Sequence, residues 1–399
     1  MSAPSAGSGL IRHLGLVGAT VVGVAAMLGT GVFAVWTPAL ALSGPWLLIA
    51  LGVAAACAGL NALSAVRLAA QHPESGGAYA YARIRLGRPP AVLAGWAFIL
   101  GKAASAAAAG LTIGVYLMPQ HPQVIAWFAI GLCLALDLAG LRRSVVVSGI
   151  LVACVVLILV VVCTASLVTN PLDVSVNPSG NLDSSRNVTG LDVLAASGLI
   201  FLAFAGYARI TVLGEEVRHP AWTIPRAVLL SLAAVLLIYV GVAVTVLAAE
   251  QAGLMIGVAS LESIVPDSWH WLVAVGAVLA AGASLLALLT AIGRTTFAMA
   301  RRGDAPRQLA NVHSGVPRQA ALLAAVLAAL VVSGGSLPWA VGLSSTFVLT
   351  YYTVMHVTAC TLPGRILTRW VVPVLGIGLC GALVLSLVLM LPRVSTLGH

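Results

Sequence analysis

Charge is scarce in this chain. Asp, Glu, Lys and Arg make up 8% of its 399 residues, against roughly 25% in a soluble domain. With 60% of residues hydrophobic, the chain cannot build a water-facing surface, so lipid must cover much of it. Lysine is nearly absent, and Lys102 is the only one among 20 basic residues. Cysteine is sparse and unorganised: Cys57, Cys133, Cys154, Cys163, Cys360 and Cys380 each sit inside an apolar run. None has metal-ligand spacing or lies in an outside loop where a disulfide would form, so they read as small core or lipid-facing residues. Catalytic signatures are missing too. There is no His-Glu-x-x-His, no Gly-x-Ser-x-Gly and no Cys-x-x-Cys, and the eight histidines are scattered, which argues against an enzyme and against a metal or cofactor. Neither a selectivity-filter repeat nor a ring of like charges favours a channel, although a channel or receptor-like sensor on a similar scaffold stays open.

What is present is a series of apolar runs, each near the roughly 20 residues a helix needs to cross a bilayer. Eleven fall at about 14–36, 45–70, 91–118, 123–141, 144–168, 191–213, 227–249, 269–296, 319–334, 339–361 and 370–391. The first run is too long for a signal-peptide core. The longest outside loop, Thr169–Gly190, holds Asn187-Val188-Thr189, a glycosylation sequon in form. A net charge of +9 could point to nucleic acid, but the basic residues lie in short clusters between the runs, so membrane topology explains them better. With a cytoplasmic N-terminus, the inside segments carry Arg12, Arg67, Arg83, Arg85, Arg88, Arg142, Arg143, Arg218, Arg226, Arg294, Arg301, Arg302, Arg307, Arg318, Arg365 and Arg369, and the outside segments only Arg186 and Arg393. That split is a strong positive-inside signal. It predicts a multi-pass protein of the cell (inner or plasma) membrane with its C-terminus outside.

Glycine and charge within a span are costly, so each asks for a reason. The first span holds Gly23 and then Met27-Leu28-Gly29-Thr30-Gly31-Val32-Phe33; the sixth holds Phe201-Leu202-Ala203-Phe204-Ala205-Gly206-Tyr207-Ala208-Arg209. These segments are five spans apart and run in opposite directions. Interrupted helices at matching positions of two inverted halves point to a transporter site. Freed N–H groups at the start of a half-helix suit a carboxylate, and freed C=O groups suit an ammonium, so together they suit a zwitterion. The glycines could instead serve only close helix packing.

Four stretches carry a family resemblance. They are Gly29-Thr30-Gly31-Val32-Phe33, Pro73 through Arg83 (PESGGAYAYAR), Gly214 through Pro220 (GEEVRHP) continuing to Ile224-Pro225-Arg226, and Met299 through Pro306 (MARRGDAP). In this order they resemble the amino acid–polyamine–organocation transporter family. The resemblance implies an all-α polytopic membrane protein of about eleven transmembrane helices, with a LeuT-type 5+5 inverted repeat and broken helices 1 and 6. The first repeat would cover about 14–168, the second about 191–361, and an extra helix about 370–391. It implies secondary transport of an amino acid by alternating access, with another small amine or organocation as an alternative. Met27, Gly29, Thr30 and Gly31 would meet the amino acid moiety, and Leu202, Ala203, Phe204 and Gly206 would line the side-chain pocket. Two departures stand out. Leu202 sits where some relatives place an aromatic gate, and Ala208 occupies the place of a glutamate through which relatives couple protons.

Lys102 lies near mid-membrane, and a lysine there can cycle a proton where an arginine cannot. It reads either as a fixed or cycling cation or as a structural lysine bonded to carbonyls. Arg209 either faces the site or snorkels to the inner interface. Lys102, Arg209 and Tyr207 are the candidate coupling and gating residues. Asp137 is read as pairing with Arg142 and Arg143, His356 as a packing histidine, and Glu215 and Glu216 as ion-paired in the arginine-rich loop. The two cations and the apolar lining favour a neutral amino acid. The partners expected are therefore that substrate, a coupling proton where Lys102 cycles one, and the lipid bilayer, with no nucleic acid.

Overall fold

The computed structural model describes residues 15–71, 77–139, 145–171, 188–211, 217–254, 257–259, 261–311 and 317–396. Arg12, Arg142, Arg143, Arg186, Asn187, Gly214, Glu215, Glu216 and the 73–76 part of the first inside-loop motif lie outside them. The described residues are predominantly helical, with no strand among them. In chain order the α-helices are α1 (Leu16–Met27), α2 (Gly31–Ala34), α3 (Trp36–Ser43), α4 (Leu47–Gln71), α5 (Gly77–Arg85), α6 (Arg88–Leu117), α7 (Pro122–Leu138) and α8 (Val145–Thr169). They continue as α9 (Gly190–Phe204), α10 (Ala208–Thr211), α11 (Pro220–Gln251), α12 (His270–Arg301), α13 (Arg318–Gly334), α14 (Leu337–Cys360) and α15 (Val372–Thr396).

Among the described residues, each expected apolar run falls mainly on helix. Among the described residues, 8 helical stretches are long and apolar enough to cross a membrane. α7 and α13 are apolar but shorter, at 17 residues each, and α14 spans 24 residues. The first expected span, 14–36, holds α1 and α2, with α3 beginning at its last residue, and the sixth is α9 followed by α10. Loop contacts agree with the alternation. Arg67, at the end of the second span, donates to the Thr368 carbonyl between the tenth and eleventh. Arg393, at the end of the eleventh, lies 3.8 Å from Asp192 at the start of the sixth.

The loops expected inside are fastened by one carboxylate. Asp304 follows α12, and its side chain is fully buried. It accepts from the Tyr79 hydroxyl at 2.8 Å and from Arg88 Nε at 2.8 Å, with Arg83 Nε at 3.2 Å. Burial pushes this carboxyl up, but the bonds from Tyr79 and Arg88 and the charges of Arg83 and Arg88 outweigh it and hold the group below the usual carboxylate range. Burial, and then the bond to Asp304, raise the Tyr79 phenol to about 12. The residues read as a loop thus form a short helix, α5, tied to the end of α12. Its other anchor is the Ala78 N–H, which donates to the Tyr351 hydroxyl of α14 at 2.9 Å. Gly77 makes that approach possible: it has φ +59°, and a Cβ there would sit 2.6 Å from the Tyr351 hydroxyl.

A buried polar cluster joins α4, α14 and α15. His356 Nε2 lies 2.6 Å from Asn61 Oδ1, and an amide oxygen can only accept, so Nε2 carries the proton and Nδ1 accepts from Ser64 at 2.9 Å. Asn61 Oδ1 also accepts from Cys380 at 3.3 Å, and the Cys57 and Cys380 sulfurs lie 3.7 Å apart. His356 is therefore a satisfied packing histidine, as expected. All six cysteines are free, although Cys154 is exposed and Cys163 and Cys360 are only partly buried.

Candidate substrate site

The two glycine segments interrupt their helices where the sequence places the breaks. α1 ends at Met27, and the helix resumes at Gly31; α9 ends at Phe204 and resumes at Ala208. The amides of Gly29, Thr30, Gly31 and Val32 lose their partners one turn back when the helix is cut there. The Thr30 hydroxyl is buried and makes no hydrogen bond.

The breaks cross each other main chain to main chain. A Cβ on Gly31 would run into the Ala203 backbone, and one on Gly206 into the Ala26 carbonyl. Both glycines therefore have a packing role, whatever else they do. Gly29 is less confined, its nearest neighbour being Ser284 of α12 at 3.0 Å.

Freed carbonyls at the breaks find partners within the protein. The Tyr239 hydroxyl of α11 lies 2.8 Å from the Met27 carbonyl oxygen and 3.0 Å from that of Ala203. It thereby ties α1, the N-terminal half of the first span, to α9, the N-terminal half of the sixth. Its ring packs edge-on against Phe204 at 5.1 Å and Trp36 at 5.8 Å. Lys102 Nζ reaches the Ala205 carbonyl oxygen at 3.5 Å and lies 5.9 Å from the centre of the Phe98 ring, within cation–π range. Phe98 in turn packs on Tyr351 at 5.4 Å. Tyr207 stacks on Tyr352 at 5.6 Å, and Tyr352 meets Tyr351 at 5.2 Å. A line of aromatic rings thus runs from the sixth-span break to the anchor of α5.

Met27, Ala203 and Phe204 are buried and Leu202 is half-buried. Arg209 is exposed, whereas its neighbour Ile210 is buried and packs toward Gly23. Asp137 accepts from the Thr290 hydroxyl of α12 at 2.6 Å; its expected arginine partners lie outside the described residues. Sequence reasoning missed Tyr239, Ser284 and the Tyr351–Tyr352 pair. The one available signal was a phenol in an apolar span, whose polar tip requires a partner.

The profile described as amino acid permease matches residues 18–364. An uncharacterized transporter of Mycobacterium tuberculosis is 41% identical over 401 residues, covering 97% of this chain and 88% of its own length. A branched-chain amino acid permease of Bacillus subtilis is 27% identical, covering 78% of this chain and 72% of its own. A vacuolar cationic amino acid transporter of Arabidopsis thaliana is 28% identical, covering 80% and 58%. Among solved structures, MhsT in complex with L-phenylalanine superposes with a TM-score of 0.63 at 13% identity, covering 98% of this chain and all of the other, a likeness of fold.

Proposed function

Because the chain belongs to the amino acid permease family, we propose that it is a secondary active transporter of a neutral amino acid, working by alternating access in the plasma membrane with its N-terminus in the cytoplasm. That it is a multi-pass membrane protein for amino acid transport follows from the family itself. The finer reading rests above all on the crossed breaks of the first and sixth spans. The amides of residues 29–32 and the Thr30 hydroxyl would receive the substrate carboxylate, and Leu202, Ala203 and Phe204 would flank its side chain. The inverted halves, about 14–168 and 191–361, would supply one broken helix each.

Lys102 supports a coupling role by position. Its ammonium rests on the Ala205 carbonyl, which the sixth-span break releases. A proton or substrate arriving there would weaken that contact. Through Phe98 and Tyr351 the change would reach α5, while Tyr207 would part from Tyr352 as the inner half of the sixth span swings out. Arg209, exposed beside it, would line the inner path.

The similarity to a cationic amino acid transporter gives a second reading, a cationic substrate. Lys102 at the break opposes it, because like charges in a low-dielectric site repel strongly. A thermal-shift screen of the purified protein against the amino acids separates the two, since a bound ligand adds RT ln(1 + [L]/Kd) to stability. Stabilisation by small neutral amino acids, lost in analogues without a carboxylate, is the expected outcome. Stabilisation by arginine or lysine alone would replace it with the cationic reading. Counterflow in proteoliposomes then tests carrier against channel, because only a carrier preloaded with unlabelled substrate transiently accumulates label.

A further inference from the structure

An open groove of about 590 Å³ runs along the start of α6, lined by Arg88, Pro89, Val92, Leu93, Trp96 and Asp304. It lies apart from the two breaks. Its floor is apolar, and Leu93 is 53% exposed. Its mouth is charged, but unevenly. The Asp304 side chain is fully buried while that of Arg88 is 63% exposed, so a cation faces outward. Arg88 turns Nε to Asp304 and Nη2 to the Gly303 carbonyl, which holds its guanidinium plane fixed at the rim. Arg83 shares the same carboxylate and is 32% exposed. Arg302 stacks over Tyr79 at 5.7 Å, and Arg301 over Phe297 at 5.7 Å. Arg83 and Arg88 thus share one carboxylate, leaving one net positive charge at the start of α6.

The geometry points to a seat for an anionic phospholipid of the inner leaflet, its phosphate at Arg88 and Arg83 and one acyl chain along Val92, Leu93 and Trp96. An apolar trough one helix turn from a fixed guanidinium fits an amphiphile with a phosphate head, and basic pockets at membrane-helix ends bind such head groups. A free phosphate would satisfy the rim but leave the trough uncovered. A zwitterionic lipid would fill the trough without answering the excess charge.

The test uses the full chain, purified in a non-ionic detergent and stripped of lipid, with its unfolding midpoint followed as lipid is added. Dioleoyl-phosphatidylglycerol is compared with dioleoyl-phosphatidylcholine and with inorganic phosphate. One net positive charge at the rim, Arg83 and Arg88 less Asp304, predicts half-saturation by the glycerol lipid at about 5-fold lower mole fraction than by the choline lipid, and no saturable response to phosphate. Val92→Trp fills the trough and leaves every charge in place, so it should remove the preference while the lipid-free midpoint holds. Arg88→Gln should remove it too, but it also strips a partner from Asp304, so its lipid-free midpoint is read first. Equal half-saturation by the two lipids, a phosphate response as large as that to the glycerol lipid, or a preference that survives Val92→Trp would overturn the proposal. Substrate binding enters none of these readouts, so the outcome is independent of the transport reading.

Discussion

Tyr239→Phe is the sharpest test of how the crossed breaks hold together. The substitution keeps the ring contacts with Phe204 and Trp36 and removes only the oxygen that sits 2.8 Å from the Met27 carbonyl and 3.0 Å from that of Ala203. A hydroxyl has one proton, so a single hydrogen bond is lost, shared between two acceptors. Both acceptors are buried, and leaving a buried polar group unpartnered costs about 1–3 kcal/mol. For a chain of this length that lowers the unfolding midpoint by about 1–4 °C. The same bond joins half-helices that belong to different spans. Any state in which they separate gains by the same amount, a population shift of about 5- to 150-fold. We therefore expect a lower midpoint together with an altered transport rate. Tyr239→Leu should cost more, because each lost aromatic pair adds about 0.5–1.5 kcal/mol. An unchanged midpoint with a wild-type rate in Tyr239→Phe would refute the reasoning, since the hydroxyl would then carry neither stability nor the cycle.

Other outcomes follow from the same geometry. Lys102→Met should abolish pH-dependent net transport while exchange survives, and Lys102→Arg should behave as a permanently charged carrier; a wild-type rate and pH profile in Lys102→Met would leave the lysine structural. Gly206→Ala should fail to accumulate as folded protein, because the added Cβ meets the Ala26 carbonyl, whereas Gly282→Ala, with nothing within 4 Å, should match wild type in yield and midpoint. Asp304 has a depressed folded pKa, so its stabilising contribution is present above the unfolded value near 3.9 and is lost as pH falls through the folded value. Amide exchange in α5 should accordingly quicken in Asp304→Asn at neutral pH, and in the wild type only under acid conditions. Reporters fused near Arg85 and Arg307 should read as cytoplasmic and one fused after His399 as outside; the reverse reading would invert the orientation.

The breaks were legible because glycine within an apolar run is costly and therefore conspicuous. Gly29-Thr30-Gly31 and Gly206 mark the two interruptions. What those glycines touch was not legible. Gly31 against Ala203 and Gly206 against Ala26 are contacts between segments about 170 residues apart, and local pattern carries no information on that pairing. Lys102 drew notice by being the sole lysine, but its partner is a carbonyl, which every residue has and no sequence flags. Tyr239 was silent because its span is apolar on every side, so periodicity gave it no face. The Asp304 clamp escaped for another reason: its arginines had already been explained by topology, and nothing in their spacing announced a shared carboxylate.

The crossing of the two breaks also restricts how the protein can move. Where helices meet through side chains, a layer of rotamers can shear and let one slide past the other. At Gly31 and Gly206 no such layer exists, and backbone rests on backbone. Sliding would cost the contact at once, whereas rotation about it would not. The crossing should therefore act as an axle: distances between the far ends of the first and sixth spans change during the cycle, while the separation of Gly31 and Ala203 stays fixed.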